Sequence, residues 1–333
     1  MIKTPYLLFL GDAPDGLAAK VAQGIKDWRP EHAVGQLRLP GCGADMKVAD
    51  MTLKEARAAG AQTLVIGVAN RGGQISKAWM DVLKDALREG FDLASGLHNL
   101  LKHEPELVAL AAELGRTLHD VRVPGVAYPI ANGVKRMGKR CLAVGTDCSV
   151  GKMYTGLAMD AEMRQRGLKS TFRPTGQTGI LITGDGVPLD AVVADFMSGA
   201  VEWLTPDNDD DHWDHIEGQG SLFHVSYSGV TMALIHGGQP DALILSHEPT
   251  RKHMRGLPSY DLPSLEALRD MVLPIARIAN PACEVVGISV NTQHLSEGDA
   301  LACLADVETR MGLPTVDPFR QGAARLVDAL AAL

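Results

Sequence analysis

Short apolar runs alternate with helical periodicities along the whole chain. Residues 6–10 form a continuous apolar run that predicts a buried strand. Residues 17–27 follow with Leu17, Val21 and Ile25 at helical spacing. The alternation repeats: strands over 34–39 and 63–68, and helices over 52–59 and 76–89. The first of these helices opens with Thr52 and Glu55 at capping-box spacing, and the second carries Trp79, Leu83 and Leu87 on one face. A strand over 91–94, a helix over 106–119 and a strand over 121–123 complete the set. Strands and helices of this size in strict alternation predict an open parallel sheet, Rossmann-like in architecture.

The pattern breaks at residues 124–139, where Pro124, Pro129, Gly133 and Gly138 accompany Lys135, Arg136 and Lys139. That composition reads as a linker, giving an N-terminal domain over 1–130 and a C-terminal domain over 131–333. The second domain resumes the alternation. Strands are expected at 141–144, 169–172, 242–246, 284–291 and 314–318. Helices are expected at 152–166, 192–204, 265–279 (interrupted by Pro274), 299–310 and 323–330. Residues 231–236 fit a helix better than a buried strand. Arg173-Pro174-Thr175-Gly176-Gln177-Thr178-Gly179 reads as a polar, glycine-rich loop.

The most informative stretch is Gly145-Thr146-Asp147-Cys148-Ser149-Val150-Gly151-Lys152. It has the spacing G-x-x-x-x-G-K and lies between a strand and a helix, the setting of a phosphate-binding loop. Its glycines let the backbone curl, so that several N–H groups converge on one concavity. The helix start and the Lys152 ammonium add positive charge there. Met153 departs from the pattern, because a Ser or Thr hydroxyl at that position normally holds Mg²⁺. Thr155 lies roughly 200° round the helix from it and does not substitute. Phosphate binding by Gly145 to Met153 is therefore expected without a bound metal.

Other chemistry gathers at strand ends, where open α/β sheets bind ligands. Glu217 sits in Glu217-Gly218-Gln219-Gly220-Ser221, whose glycines suggest close approach of a ligand to the backbone. His247 is followed by Arg251, Lys252, His253 and Arg255, a cationic cluster suited to a carboxylate or phosphate. In the N-terminal half, Gly11-Asp12 and the segment 67–73 also end strands. No G-x-G-x-x-G follows the first strand, so no dinucleotide is expected there.

Composition narrows the class. Apolar residues make up 46% and charged residues 22% of 333, as in a globular protein, and a net charge of −8 argues against a nucleic-acid partner. The five scattered cysteines show no C-x-x-C, which fits reduced thiols in a cytoplasm rather than a disulfide framework or zinc site. The N-terminal apolar run is too short for a signal peptide, and no stretch approaches a membrane span. The apolar character of both domains makes a homodimer the expected assembly.

The loop 145–152, Arg173 to Gly179, Glu217 to Leu222 and His247-Glu248-Pro249 together resemble the bacterial DUF1611 family, and the similarity runs essentially end to end. The resemblance implies a Rossmann-like N-terminal domain and a P-loop NTPase-like C-terminal domain. It also implies acetyl transfer from acetyl-CoA to a D-amino acid, D-glutamate above all. Under that reading Lys152 neutralises the CoA diphosphate. Asp147, Glu217 and His247 are candidates for the base that takes the ammonium proton. Arg173, Arg251 and Arg255 are candidates for the acceptor's carboxylates, with Thr175, Thr178 and Ser221 as further donors. Cys148 raises an acetyl-cysteine route, with direct transfer preferred. The C-terminal half also resembles dethiobiotin synthetase, which implies the alternative: an ATP- or GTP-dependent ligase or kinase-like enzyme, in which Lys152, Asp147 and Glu217 handle Mg·nucleotide. A nucleotide-sensing module is a third reading, disfavoured because acid, base and cation recur at several strand ends.

Overall fold

The computed structural model describes residues 2–16, 18–68 and 74–333. Leu17 of the expected first helix and the Asn70-Arg71-Gly72-Gly73 turn lie outside the described residues. The chain divides into two compact units, Met1–Gly125 with Gly176–Ala191, and Val126–Thr175 with Val192–Leu333.

In the first unit the chain runs β1 (Tyr6–Gly11), α1 (Lys20–Trp28), β2 (Ala33–Arg38), α2 (Leu53–Ala58), β3 (Thr63–Ile66), α3 (Lys77–Arg88), β4 (Asp92–Ser95), α4 (Pro105–Leu114) and β5 (Leu118–Asp120). The strands are parallel in the order β2-β1-β3-β4-β5. Every residue of β1, β3 and β4 is buried, as expected where helices cover both faces of a parallel sheet. Local signals hold where they were strongest. Thr52 and Glu55 form both bonds of the capping box. Ser76 caps α3, which buries Trp79, Leu83 and Leu87. The end of the unit differs from expectation. Gly115 turns into the left-handed region and stops α4 at Leu114, so the last strand falls at 118–120 rather than 121–123. Its buried terminal residue, Asp120, accepts from the amides of Leu101 and Lys102.

The second unit begins with a segment that lacks regular structure, yet its basic residues are tied down. Arg136 donates to the Thr205 and Gly237 carbonyls, and Lys135 pairs with Asp241 at 2.7 Å. Arg140, 1% exposed, donates to the carbonyls of Arg136, Met137 and Gly138. The segment read as a linker is thus a bonded part of this unit. The chain continues through β6 (Lys139–Gly145), α5 (Lys152–Gln165) and β7 (Ser170–Arg173). It then supplies α6 (Gln177–Thr183) to the first unit, where Arg122 donates to Gln177 and pairs with Asp190. This helix begins within the Arg173–Gly179 stretch expected to be a loop and runs on past it; Gly179, Ile180, Leu181 and Ile182 are buried, and burial overrides the glycine content.

Back in the second unit come α7 (Ala194–Leu204), β8 (Trp213–Ile216), α8 (Ser228–Gly238), β9 (Ala242–His247), a hairpin of β10 (His253–Met254) and β11 (Leu257–Asp261), α9 (Leu265–Ala279), β12 (Glu284–Val290), α10 (Glu297–Met311), β13 (Thr315–Val316), α11 (Pro318–Gln321) and α12 (Ala324–Ala331). The main sheet is parallel, in the order β13-β12-β9-β6-β8-β7. β6 is therefore central, with β9 on one side and β8 on the other. Strand β8 ends just before Glu217, as its expected place at a strand end implies, whereas the hairpin was not foreseen, being short and set among charges, glycine and proline. Pro274 is accommodated within α9. Among the described residues, no helix is long and apolar enough to cross a membrane.

Candidate active site

Parallel strands deliver their carboxyl ends to one edge of a sheet. Here β6 ends in the phosphate loop, β8 runs into Glu217 and β9 ends at His247. The loop itself has the expected form. Ser149 (φ 55°) and Gly151 (φ 102°) take left-handed conformations that curl the backbone, and Lys152 opens α5. The Lys152 side chain is 5% exposed and its Nζ donates to the Asp147 carbonyl at 2.7 Å. Burial lowers its pKa to about 8, against the opposing pull of nearby Cys148 and Asp147.

Gly218 stands beside this lysine. A Cβ there would lie 1.7 Å from the Ala143 carbonyl oxygen and 2.9 Å from Lys152 Cδ. The glycine is needed for strand β6 and the lysine stem. Gly220 has φ +62°, and a Cβ there would meet the Tyr227 carbonyl and Thr231 Oγ1. The expectation that these glycines admit a ligand is corrected: protein atoms occupy both approaches.

Asp147 is fully buried. One of its oxygens accepts from the Cys148 amide at 2.6 Å. The other accepts from Arg251 Nη1 at 2.6 Å and from the Arg255 amide at 2.7 Å. Arg251 also donates to the carbonyls of Cys148 and Ser149, and the Arg255 guanidinium reaches Ser149 Oγ. The cationic segment after β9 therefore folds onto the phosphate loop, with Asp147 as its anchor.

Glu217, 5% exposed, accepts from the Thr175 amide at 2.8 Å, while Thr175 Oγ1 donates to the Glu217 carbonyl. Ser221 Oγ donates to the Thr146 carbonyl at 3.1 Å. His247 Nδ1 lies 3.0 Å from Thr146 Oγ1. Burial lowers the His247 pKa to about 4, so its ring is neutral near pH 7 rather than titrating there as an unperturbed histidine would.

Several expected roles change with these positions. Arg173 is engaged by Asp214, which is 1% exposed, at 2.7 Å. Its Nε neutralises a buried carboxylate. Thr178 lies in α6, within the first unit. The Cys148 thiol is pushed up in pKa, chiefly by burial, with Lys152 opposing. That shift runs against the low-pKa thiolate on which an acetyl-cysteine route draws. Met153 follows Lys152 in the first turn of α5, and Thr155 Oγ1 is turned to Ser289 Oγ at 2.7 Å, so neither offers a hydroxyl in the loop's metal position.

Sequence reasoning missed His224. Its ring joins Asp147 and Cys148 in a group whose ligand-type atoms lie within 4.8 Å of one another. Asp147 and His224 are already engaged by hydrogen bonds, so the set is a bonded cluster before it is a metal site. The only clue in the sequence was proximity: His224 stands three residues after Ser221, at the end of the Glu217 loop.

Comparison with known proteins bears on these features. Residues 129–327 match the P-loop domain of the DUF1611 family, and residues 37–124 match its Rossmann-like N-terminal domain, both described as domains of unknown function. The chain belongs to the DUF1611 family. For a DUF1611 chain the P-loop match is the informative one, since it contains every residue from Gly145 to Arg255. A D-glutamate N-acetyltransferase from Tritonibacter scottomollicae is 78% identical over 333 residues, all of both chains. Another of that name, from a Pseudoalteromonas species, is 46% identical over 326 residues and 98% of each chain. The crystal structure of a DUF1611 protein from Anabaena variabilis superposes with a TM-score of 0.89 at 34% identity, covering 99% of this chain and all of that one.

Proposed function

We propose that this DUF1611 protein is a D-glutamate N-acetyltransferase that takes its acetyl group from acetyl-CoA. End-to-end identity of 78% and 46% to two enzymes of that name supports the reaction. The observation that carries the choice of donor is the phosphate loop. It has a curled backbone, a buried Lys152 and a helix start, with methionine where a metal-binding hydroxyl would stand. Such a loop suits the diphosphate of a coenzyme that needs no Mg²⁺ for its chemistry.

In this reading the loop amides and Lys152 hold the coenzyme's phosphates. Arg255, whose guanidinium is exposed at the loop's lip, takes an anionic group of donor or acceptor. Arg251 and Asp147 brace the loop from behind. The acceptor amine attacks the thioester carbonyl, a C–N bond forms, the C–S bond breaks and the thiol leaves. The amine must first lose a proton. We assign its acceptance to His247, held by Thr146 of the loop; burial leaves its ring unprotonated at working pH but also makes it a weak base, so bound anionic substrate must raise its pKa for the transfer. Glu217 shapes the floor through Thr175.

The test is an assay of thiol release from acetyl-CoA with D-glutamate, L-glutamate and D-aspartate as acceptors, with and without a chelator. Turnover with D-glutamate that is indifferent to the chelator supports the proposal. Turnover that requires Mg·ATP would replace it with the ligase reading.

A further inference from the structure

We propose that His224 is a positioning residue that sets the arginine segment over the phosphate loop by clamping the backbone of Arg255. The inference rests on the reading of that loop as the coenzyme site. His224 is 2% exposed and stacks on Tyr227, with ring centroids 4.6 Å apart and planes at 29°. Its Nε2 faces the Arg255 carbonyl at 3.1 Å, and its Nδ1 faces the Ser226 amide at 3.2 Å. A carbonyl can only accept and an amide can only donate, so Nε2 carries the hydrogen and Nδ1 is bare. The ring is thereby fixed in one tautomer and one orientation.

The other side of the same peptide segment completes the clamp. The Arg255 amide donates to Asp147, on the oxygen that Arg251 Nη1 also reaches. One residue's carbonyl is held from the loop after β8, and its amide is held from the loop after β6. Arg255 lies in the turn between the two short strands of the hairpin, and the residues of β11 are largely exposed. An isolated two-stranded hairpin has little stability of its own. Its placement on the loop therefore depends on these anchors and on the buried Met254. Neither the catalytic candidates nor the phosphate-loop motif accounts for His224. Holding the hairpin gives it a function: it keeps the Arg255 guanidinium at Ser149, where a phosphate would be met.

The test combines His224→Ala, His224→Gln and Arg255→Ala, with coenzyme A binding measured by calorimetry and acetyl transfer by thiol release. His224→Ala should weaken coenzyme A binding and raise KM for acetyl-CoA by about tenfold, with kcat within about twofold of the parent. His224→Gln retains an N–H donor near the position of Nε2 and should recover most of that loss. In the Arg255→Ala background the His224→Ala change should cost less than it does alone, because the side chain it places is gone. A merely structural role predicts otherwise: effects additive with Arg255→Ala and no rescue by glutamine. Any of those, or unchanged binding in His224→Ala, overturns the inference. Should His224→Ala fail to fold, His224→Gln alone and in the Arg255→Ala background decides. A parent protein that binds coenzyme A but transfers no acetyl group defeats the acetyltransferase reading, and the binding data still judge His224. A parent that binds no coenzyme A defeats the site reading and this inference together.

Discussion

The two units carry parallel sheets of similar design, and the ends of β1 and β5 in the first contrast with the ends of β6, β8 and β9 in the second. In the first unit the end of β1 is filled. A Cβ on Gly11 would lie 2.4 Å from the Trp79 ring, and Asp12 accepts from the Trp79 indole at 2.9 Å. Asp120, ending β5, is occupied with two amides of its own unit. In the second unit the ends of β6, β8 and β9 carry a curled loop, a buried lysine, a carboxylate and a neutral histidine. Sheet architecture supplies a place for a site, and side-chain chemistry at the strand ends decides whether one is built.

The sharpest way to break this contrast is to remove the cation. Lys152→Ala should lower kcat/KM for acetyl transfer about a thousandfold, measured at saturating D-glutamate; a loss below tenfold would mean that the loop is not the coenzyme site. Gly11→Ala should act on stability instead. Its φ of +52° and the contact with Trp79 predict a loss of about 2–3 kcal/mol in denaturant unfolding, with kcat/KM of the folded protein retained.

Acid should weaken the second unit. His215 in β8 is 1% exposed, and burial lowers its pKa from 6.5 to about 4. Between those pH values the unfolded chain binds a proton that the folded chain refuses. The stabilising effect of the neutral ring is thus complete above pH 6.5 and declines as pH falls toward 4, by about 3 kcal/mol. Melting curves across that range should show the decline, and His215→Leu should flatten it. Coenzyme A affinity should weaken severalfold from pH 7 to pH 9, as Lys152 loses its charge above about 8; calorimetry at both pH values reads this, and Lys152→Ala should lack the step. The smallest effect belongs to Asp12→Asn, which should cost about 1 kcal/mol of stability and leave kcat/KM unchanged.

What the sequence made legible follows the same division between local and assembled features. The phosphate loop, the Thr52 capping box and the Trp79 face were readable because each is encoded by residues close along the chain. Glu217 and His247 were readable as strand ends. His224 was not, because its partners stand at positions 226 and 255 and only folding joins them. The partner of Arg173 Nε was not readable for the same reason: Asp214 lies 41 positions away. The helix α6 was hidden by glycines, whose local cost is overridden by burial of Ile180, Leu181 and Ile182.

The detour of Gly176–Ala191 has a practical consequence. The polypeptide passes from one unit to the other at three points, after residues 125, 175 and 191. Neither unit is therefore a contiguous fragment that a truncation could isolate. A fragment starting at residue 126 would carry α6 with its apolar residues stripped of their native cover, inviting aggregation. Domain dissection of this protein requires replacing 176–191 with a short polar bridge, and a protease nick within that stretch would disturb both units at once.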